Sequence, residues 1–188
     1  MSYEDCKKHS EDLIQKIEEA HKRAGSNDLI FKERTPMIQI NKSETADTRS
    51  CDFTKVTEKK LRDSSVSHIL DVCIGLKFFQ KMLLEAGRNH DHDKISGLEQ
   101  FHKDFVSGFK SHEWWDNHRK INRHHLTKED GIPEDVNLID ILEYITDCTM
   151  AGMARTGEVY DLGLPDELLQ RAFKNTCELL KDNVEVVE

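Results

Sequence analysis

A chain of 188 residues is long enough for one domain whose core needs no disulfide or metal staple. Charged residues make up 34% and the net charge is −9, which argues against duplex nucleic acid as a partner, since counterion release needs a basic face. No apolar run approaches the roughly 20 residues that span a bilayer, "MSYEDCKKHSEDL" carries no apolar signal core, and the five cysteines form no Cys-x-x-Cys pair, so the expectation is a reduced, cytoplasmic protein without a membrane partner.

Residues 3–24 read as a heavily charged helix with a thin apolar stripe of Leu13, Ile14, Ile17 and Ala20, ended by "AGSNDL". "PMIQI" suits a short strand that Pro36 confines to an edge or a strand start, and "NKSETADTRS" is polar loop. Residues 1–52 therefore form an irregular N-terminal appendage whose role is not readable, and 53–188 a helical domain. Its first helix, "SVSHILDVCIGLKFFQKMLLEAG", sets Ile69, Leu70, Cys73, Leu76, Leu83 and Leu84 on one face, with His68 at the border and Gly87 as the stop. A helix over 96–110 follows, with Leu98, Phe101, Phe105 and Phe109 inward. A short helix or turn runs through "SHEWWDNHRKINRHHL", and "TKEDGIPED" is a loop. "VNLIDILEYITDCTMAGMA" is another helix, and "LPDELLQRAFKNTCELLKD" the last, opened by Pro165 with Asp166 and Glu167 in its first turn. The fold class is all-α.

Of ten histidines, seven fall between residues 90 and 125. A divalent ion on nitrogen and oxygen ligands requires neutral imidazoles and carboxylates converging from several elements. "NHDHDK", residues 89–94, supplies His90 and Asp91, with His92 and Asp93 as the rival pair. "HRKINRHH" adds His118, His124 and His125, and the helix from 138 adds Asp140, Glu143 and Asp147 on one face. That face lies opposite Leu138, Ile141, Leu142 and Ile145, so periodicity alone makes it solvated; it joins a site only where it lines a cleft shared with the histidines. His68 reads either as a hydrogen-bonded core histidine or as a side chain reaching a buried polar site. Trp114 and Trp115 read as core, with stacking on a base as the alternative.

The order His68, "HDHDK", His118, "RHH" and a helical Asp147 resembles the H…HD…H…H…D series of the HD superfamily of metal-dependent phosphohydrolases. His90-Asp91-x-x-Lys94 is similar to its two-metal subset. "HHLTKEDGIPED" followed by "ITDCTMAGMARTGEVY" resembles the later half of the HD-GYP cyclic-dinucleotide phosphodiesterases, and the same order resembles small HD-like proteins, many of them phage-encoded. The match covers roughly 66–160. The Gly-Tyr-Pro signature is absent, with Gly131-Ile132-Pro133 in its place, and the stretch from His118 to the His-His pair is shorter than in HD-GYP proteins. Substrate class therefore does not carry over, and His112 stands as an alternative to His118.

The resemblance implies an HD-domain-like helical bundle with two divalent ions (Mn, Fe, Ni or Zn). His68, His90, Asp91, His118, His124 and Asp147 would be the ligands, with Asp91 bridging. Lys94 and Arg155 would grip a phosphate, and His125 would donate a proton or act as a ligand. Lys94 also reads as a surface lysine, and Arg155 as a cation complementing its helix C-terminus. The implied substrate is a small phosphorylated molecule such as a nucleotide, in the host cytoplasm if the protein is phage-encoded. A mixed-valent di-iron oxygenase of the inositol-cleaving type and a non-catalytic, metal-stabilised binding protein that sequesters a nucleotide or host protein are the alternatives.

Overall fold

Thr57 opens the longest helix: its hydroxyl accepts from the Lys60 amide at 3.2 Å, and α1 then runs Glu58–Asn89. The computed structural model describes residues 38–43 and 54–187, all inside one compact unit, Met37–Glu188. The helix expected over 3–24 lies outside the described residues. After α1 come α2 (His92–Ser96), α3 (Leu98–Val106), α4 (Glu113–Ile121), a 3₁₀ turn (Glu129–Gly131), α5 (Leu138–Thr156) and α6 (Asp166–Asp182). The protein is predominantly helical, as its periodicity requires. Among the described residues no helix is long and apolar enough to cross a membrane.

Two short strands complete the unit. β1 (Ile38–Asn41) follows Pro36, and pairs in parallel with β2 (Val184–Val187), Ile38 opposite Val184. The Ile38 amide also donates to the Asn183 carbonyl at 2.8 Å. The strand that the sequence grouped with residues 1–52 therefore belongs to the helical unit, whose boundary falls at Pro36–Met37.

The core lies between α5, α6 and the segment before α5. Leu126, Val136, Ile141, Tyr144, Leu168 and Ala172 are buried together. The Leu138 amide donates to Thr176 Oγ1 at 2.8 Å, fastening α6 to the start of α5. A capping box on Asn137 and Asp140 fixes that start. Arg123 grips the same Asp140 carboxylate with two bonds of 2.7 and 2.9 Å.

Two expectations change. Helix α1 runs past Gly87 to Asn89, because Gly87 stays helical and the turn comes at Asp91, which adopts φ 51°. Its expected inward face is open: Ile69, Leu70, Leu76, Leu83 and Leu84 are all exposed, and Phe78 is the buried residue of the helix. Only β1 and α5 pack on α1 to any extent among the described elements, so most of its apolar stripe meets none of them. In α3 likewise, Leu98 and Phe105 are exposed and Asp104 is buried, its carboxylate bonded by Ser111.

Candidate metal centre

The junction of α1 and α2 places the first two candidate ligands. His90 leaves helical geometry, and Asp91 turns the chain in the left-handed region, which Asp tolerates better than most residues. The Asp91 amide donates to Asn122 Oδ1 at 3.2 Å, tying the turn to the end of α4. His118, on α4, is fully buried, and His124, just beyond, is 1% exposed. The His124–His125 segment is held from behind. Arg119 forks onto Asp130 at 2.6 and 3.0 Å, and Gly131 approaches so closely that a Cβ there would stand 2.9 Å from the His125 carbonyl. Helix α5 brings Glu143 and Asp147 to the same place.

Carboxylates hold the Nδ1 side of three imidazoles. His90 and His124 both donate Nδ1–H to one oxygen, Glu143 Oε1, at 3.0 and 2.9 Å. His118 donates Nδ1–H to Asp93, at 2.8 Å to the nearer oxygen, and Asn122 donates to the same carboxylate at 2.9 Å. Each Nε2 then faces Asp91, so that the neutral rings point their lone pairs to one place, as metal ligands must; His90 has first to give up its second proton. His118 Nε2 is 3.3 Å and His124 Nε2 3.6 Å from Asp91 Oδ1, while His90 Nε2 is 3.4 Å from Asp91 Oδ2 and 3.6 Å from Asp147 Oδ1. His125 Nε2 stands 2.9 Å from His118 Nε2.

Four of these separations are long for hydrogen bonds, and those of 3.3 and 3.4 Å match the edge between two ligands of one ion, with the two at 3.6 Å slightly wider. Bonds of about 2.1 Å at 90–110° leave the ligand atoms roughly 3.0–3.4 Å apart. Among the described residues, two groups could hold a metal ion: His90, Asp91 and His124; and Asp91, His118 and His125. Asp91 belongs to both. Asp91 Oδ1 and His124 Nε2 are buried without a hydrogen-bond partner, a costly state that a cation between them would relieve. The residues present therefore fit a metal.

The electrostatics agree. Asp147 and then Glu143 raise the His90 imidazole to about 10. Burial pushes Glu143 up, but the imidazoles of His124 and His90 outweigh it and hold the carboxyl at about 2. Burial, then the neighbouring His124 and His118, lower His125 to about 4, so it is neutral at pH 7 and suited to ligation rather than to proton donation. Burial lowers His118 too, against the pull of Asp93.

His90, Asp91, His118, His124 and Asp147 lie together, and Lys94 joins them through an ion pair from Nζ to Asp91 Oδ2. His125 falls in a ligand position. Two expected residues do not arrive. His68 is exposed on helix α1, which runs unbroken to Asn89, and lies 22 residues before His90, roughly 33 Å away at 1.5 Å per residue. Arg155 is exposed, and its Nε donates to the Ala151 carbonyl one turn back at 3.2 Å, the helix-end role that competed for it. His112 is exposed and outside the cluster, as is His92, whose Nδ1 is 2.8 Å from the Asn89 carbonyl. Asp140 serves Arg123 and the helix cap instead of a metal. Trp114 stacks on His118 at 4.6 Å and on Phe101 at 4.3 Å, so the tryptophan walls in the ligand.

The orienting roles of Glu143 and Asp93 were missed. The available signal was the spacing of Glu143 and Asp147, four apart on one helix face. No family model, curated protein or solved structure matches the chain.

Proposed function

We propose that the protein is a metal-dependent phosphohydrolase that cleaves a small phosphate ester, nucleotides included, at a two-ion centre. The observation that carries the centre is Asp91, shared by both ligand groups, with a buried and unpartnered Oδ1. The step from a metal centre to phosphoryl chemistry rests on the resemblance of His90-Asp91-x-x-Lys94 to the two-metal HD proteins.

His90, His124, Asp147 and Asp91 would hold one ion, and His118, His125 and Asp91 the other. Divalent ions in such a pair supply Lewis acidity at the phosphoryl oxygens and lower the pKa of water from 15.7 towards about 7. The chain's own residues do the rest. Glu143 and Asp93 keep three Nδ1 protons in place, which fixes the imidazoles before any ligand arrives. Lys94 Nζ, paired with Asp91 beside the centre, would grip a phosphoryl oxygen as the resemblance implies. Trp114 and the aromatic side chains beside it exclude water behind His118.

The test is metal content by mass spectrometry in the wild type and in Asp91→Asn, followed by phosphate release from a panel of esters. Asn keeps the left-handed turn that Ala would strain. About two manganese, iron, nickel or zinc ions per wild-type chain and fewer than one in the variant are expected, with phosphate release at least 100-fold lower in the variant. A wild-type protein that neither contains nor takes up metal ends the proposal.

A further inference from the structure

Beside the centre, α1 and α5 enclose an open cleft of about 490 Å³, within the range of small-molecule sites. Its walls are Leu83, Ala86 and Gly87 from α1 and Leu142, Thr146 and Met150 from α5. His90, Glu143 and Asp147 also line it, and all three belong to the metal centre or hold its ligands. The two are therefore one continuous space: whatever an ion at His90 and Asp147 binds has the cleft as its neighbour.

The composition of the walls decides what fits. None of the lining residues is Lys or Arg, and the ionisable ones beyond His90 are the acidic Glu143 and Asp147. A second phosphate in the cleft would find no cation and two carboxylates. Away from the centre the only polar side chain is Thr146, whose hydroxyl donates to the Leu142 carbonyl at 2.7 Å, leaving lone pairs alone to offer. A sugar, with several hydroxyl donors and acceptors, would be largely unmatched. The apolar walls are meanwhile open to solvent, Leu142 at 45% and Met150 at 64% exposure. Gly87 widens the cleft, since a Cβ built there meets nothing within 4 Å.

We infer that the cleft binds the uncharged, apolar organic group of a phosphomonoester, so that the substrate carries one phosphate at the metals and an alkyl or aryl group between α1 and α5. This rests on the phosphohydrolase reading and narrows it. Cyclic dinucleotides, bisphosphates and nucleotides fit the cleft less well than a monoester of an apolar alcohol.

The test uses the metal-loaded full-length protein and a series of alkyl phosphates, methyl to hexyl, whose leaving groups differ little in pKa. Adenosine monophosphate and fructose 1,6-bisphosphate complete the panel. Each buried methylene is worth up to about fourfold, so kcat/KM is expected to rise at least tenfold from methyl to hexyl and to exceed the values for the other two. Gly87→Leu, which fills the cleft, should reduce the hexyl-to-methyl ratio at least tenfold. Gly75→Leu is the control: it lies on the same helix, away from the cleft, where a Cβ also meets nothing within 4 Å, and it should keep the wild-type ratio. A ratio near one, or a preference for either comparison substrate, overturns the cleft assignment and leaves the phosphohydrolase standing. Absence of turnover with every ester overturns the phosphohydrolase instead. The cleft is then judged by the ¹³C-methyl signal of Met150. A shift with hexyl but not methyl phosphate, lost in Gly87→Leu, upholds it; no shift ends it.

Discussion

Glu143 Oε1 receives two Nδ1–H groups from different parts of the chain, His90 at the end of α1 and His124 beyond α4. One oxygen thereby fixes the tautomer and direction of two ligands, so Glu143→Gln should weaken metal binding about 10–100-fold; a chelator competition titration measures this, and unchanged affinity would remove Glu143 from that role. The same neighbours set a pH dependence. His90 is raised from 6.5 to about 10, by Asp147 and then Glu143, so the metal-free protein carries it protonated at neutral pH. A ligand must be neutral, so metal must displace that proton. Affinity should therefore rise with pH, approaching tenfold per unit between about pH 7 and 10, and level off above. Titrations with a metal indicator at pH 7, 8 and 9 measure the slope. A flat profile would show that His90 holds no ion.

At the scale of elements, the site depends on how the 3₁₀ turn after His125 is pressed against α4. Gly131→Ala would place a methyl carbon 2.9 Å from the His125 carbonyl and 3.3 Å from that of Arg119. Both are backbone atoms, so the loop must move. We expect a loss of about 1–3 kcal/mol in urea denaturation, typical of overpacking, together with weaker metal binding as His124 and His125 shift. Full stability in the variant would mean that the close approach is not needed. The sequence made most of this legible. "HRKINRHH" followed by an Asp-Gly turn marked the segment, and the six-residue "NHDHDK" marked the junction it faces. The helix faces were not legible. Periodicity assigned Leu142 and Ile145 to the interior and Glu143 to solvent, whereas Leu142 and Ile145 are 45% and 43% exposed. A helical wheel counts apolar neighbours, and this face of α5 packs on imidazoles that complement its carboxylates. His68 was misplaced for a simpler reason: its place in the order matched the ligand series that the resemblance implies, but α1 runs unbroken to Asn89 and carries it about 33 Å from His90.

Across the whole molecule, the candidate centre draws its groups from four separate segments: the α1–α2 junction, α4, the loop that follows it, and α5. Asp91 and Asp147 are 56 residues apart in the chain, so an unfolded chain offers no such arrangement and an ion must favour the folded state. The helical unit also brings its two ends together through the parallel pair β1–β2, so tightening the centre acts on one cooperative body. Free metal at 100 times its dissociation constant stabilises by about 2.7 kcal/mol per site. For a domain of roughly 150 residues each kcal/mol moves Tm by about 2–4 °C, which gives about 5–10 °C for each ion bound. Scanning calorimetry of metal-free and metal-loaded protein should show this increment, and Asp91→Asn should lose most of it. His68→Ala, far along α1, should keep all of it. If His68→Ala abolished the increment as Asp91→Asn does, His68 would have to reach the metal in solution, and the unbroken α1 that holds it away would be wrong.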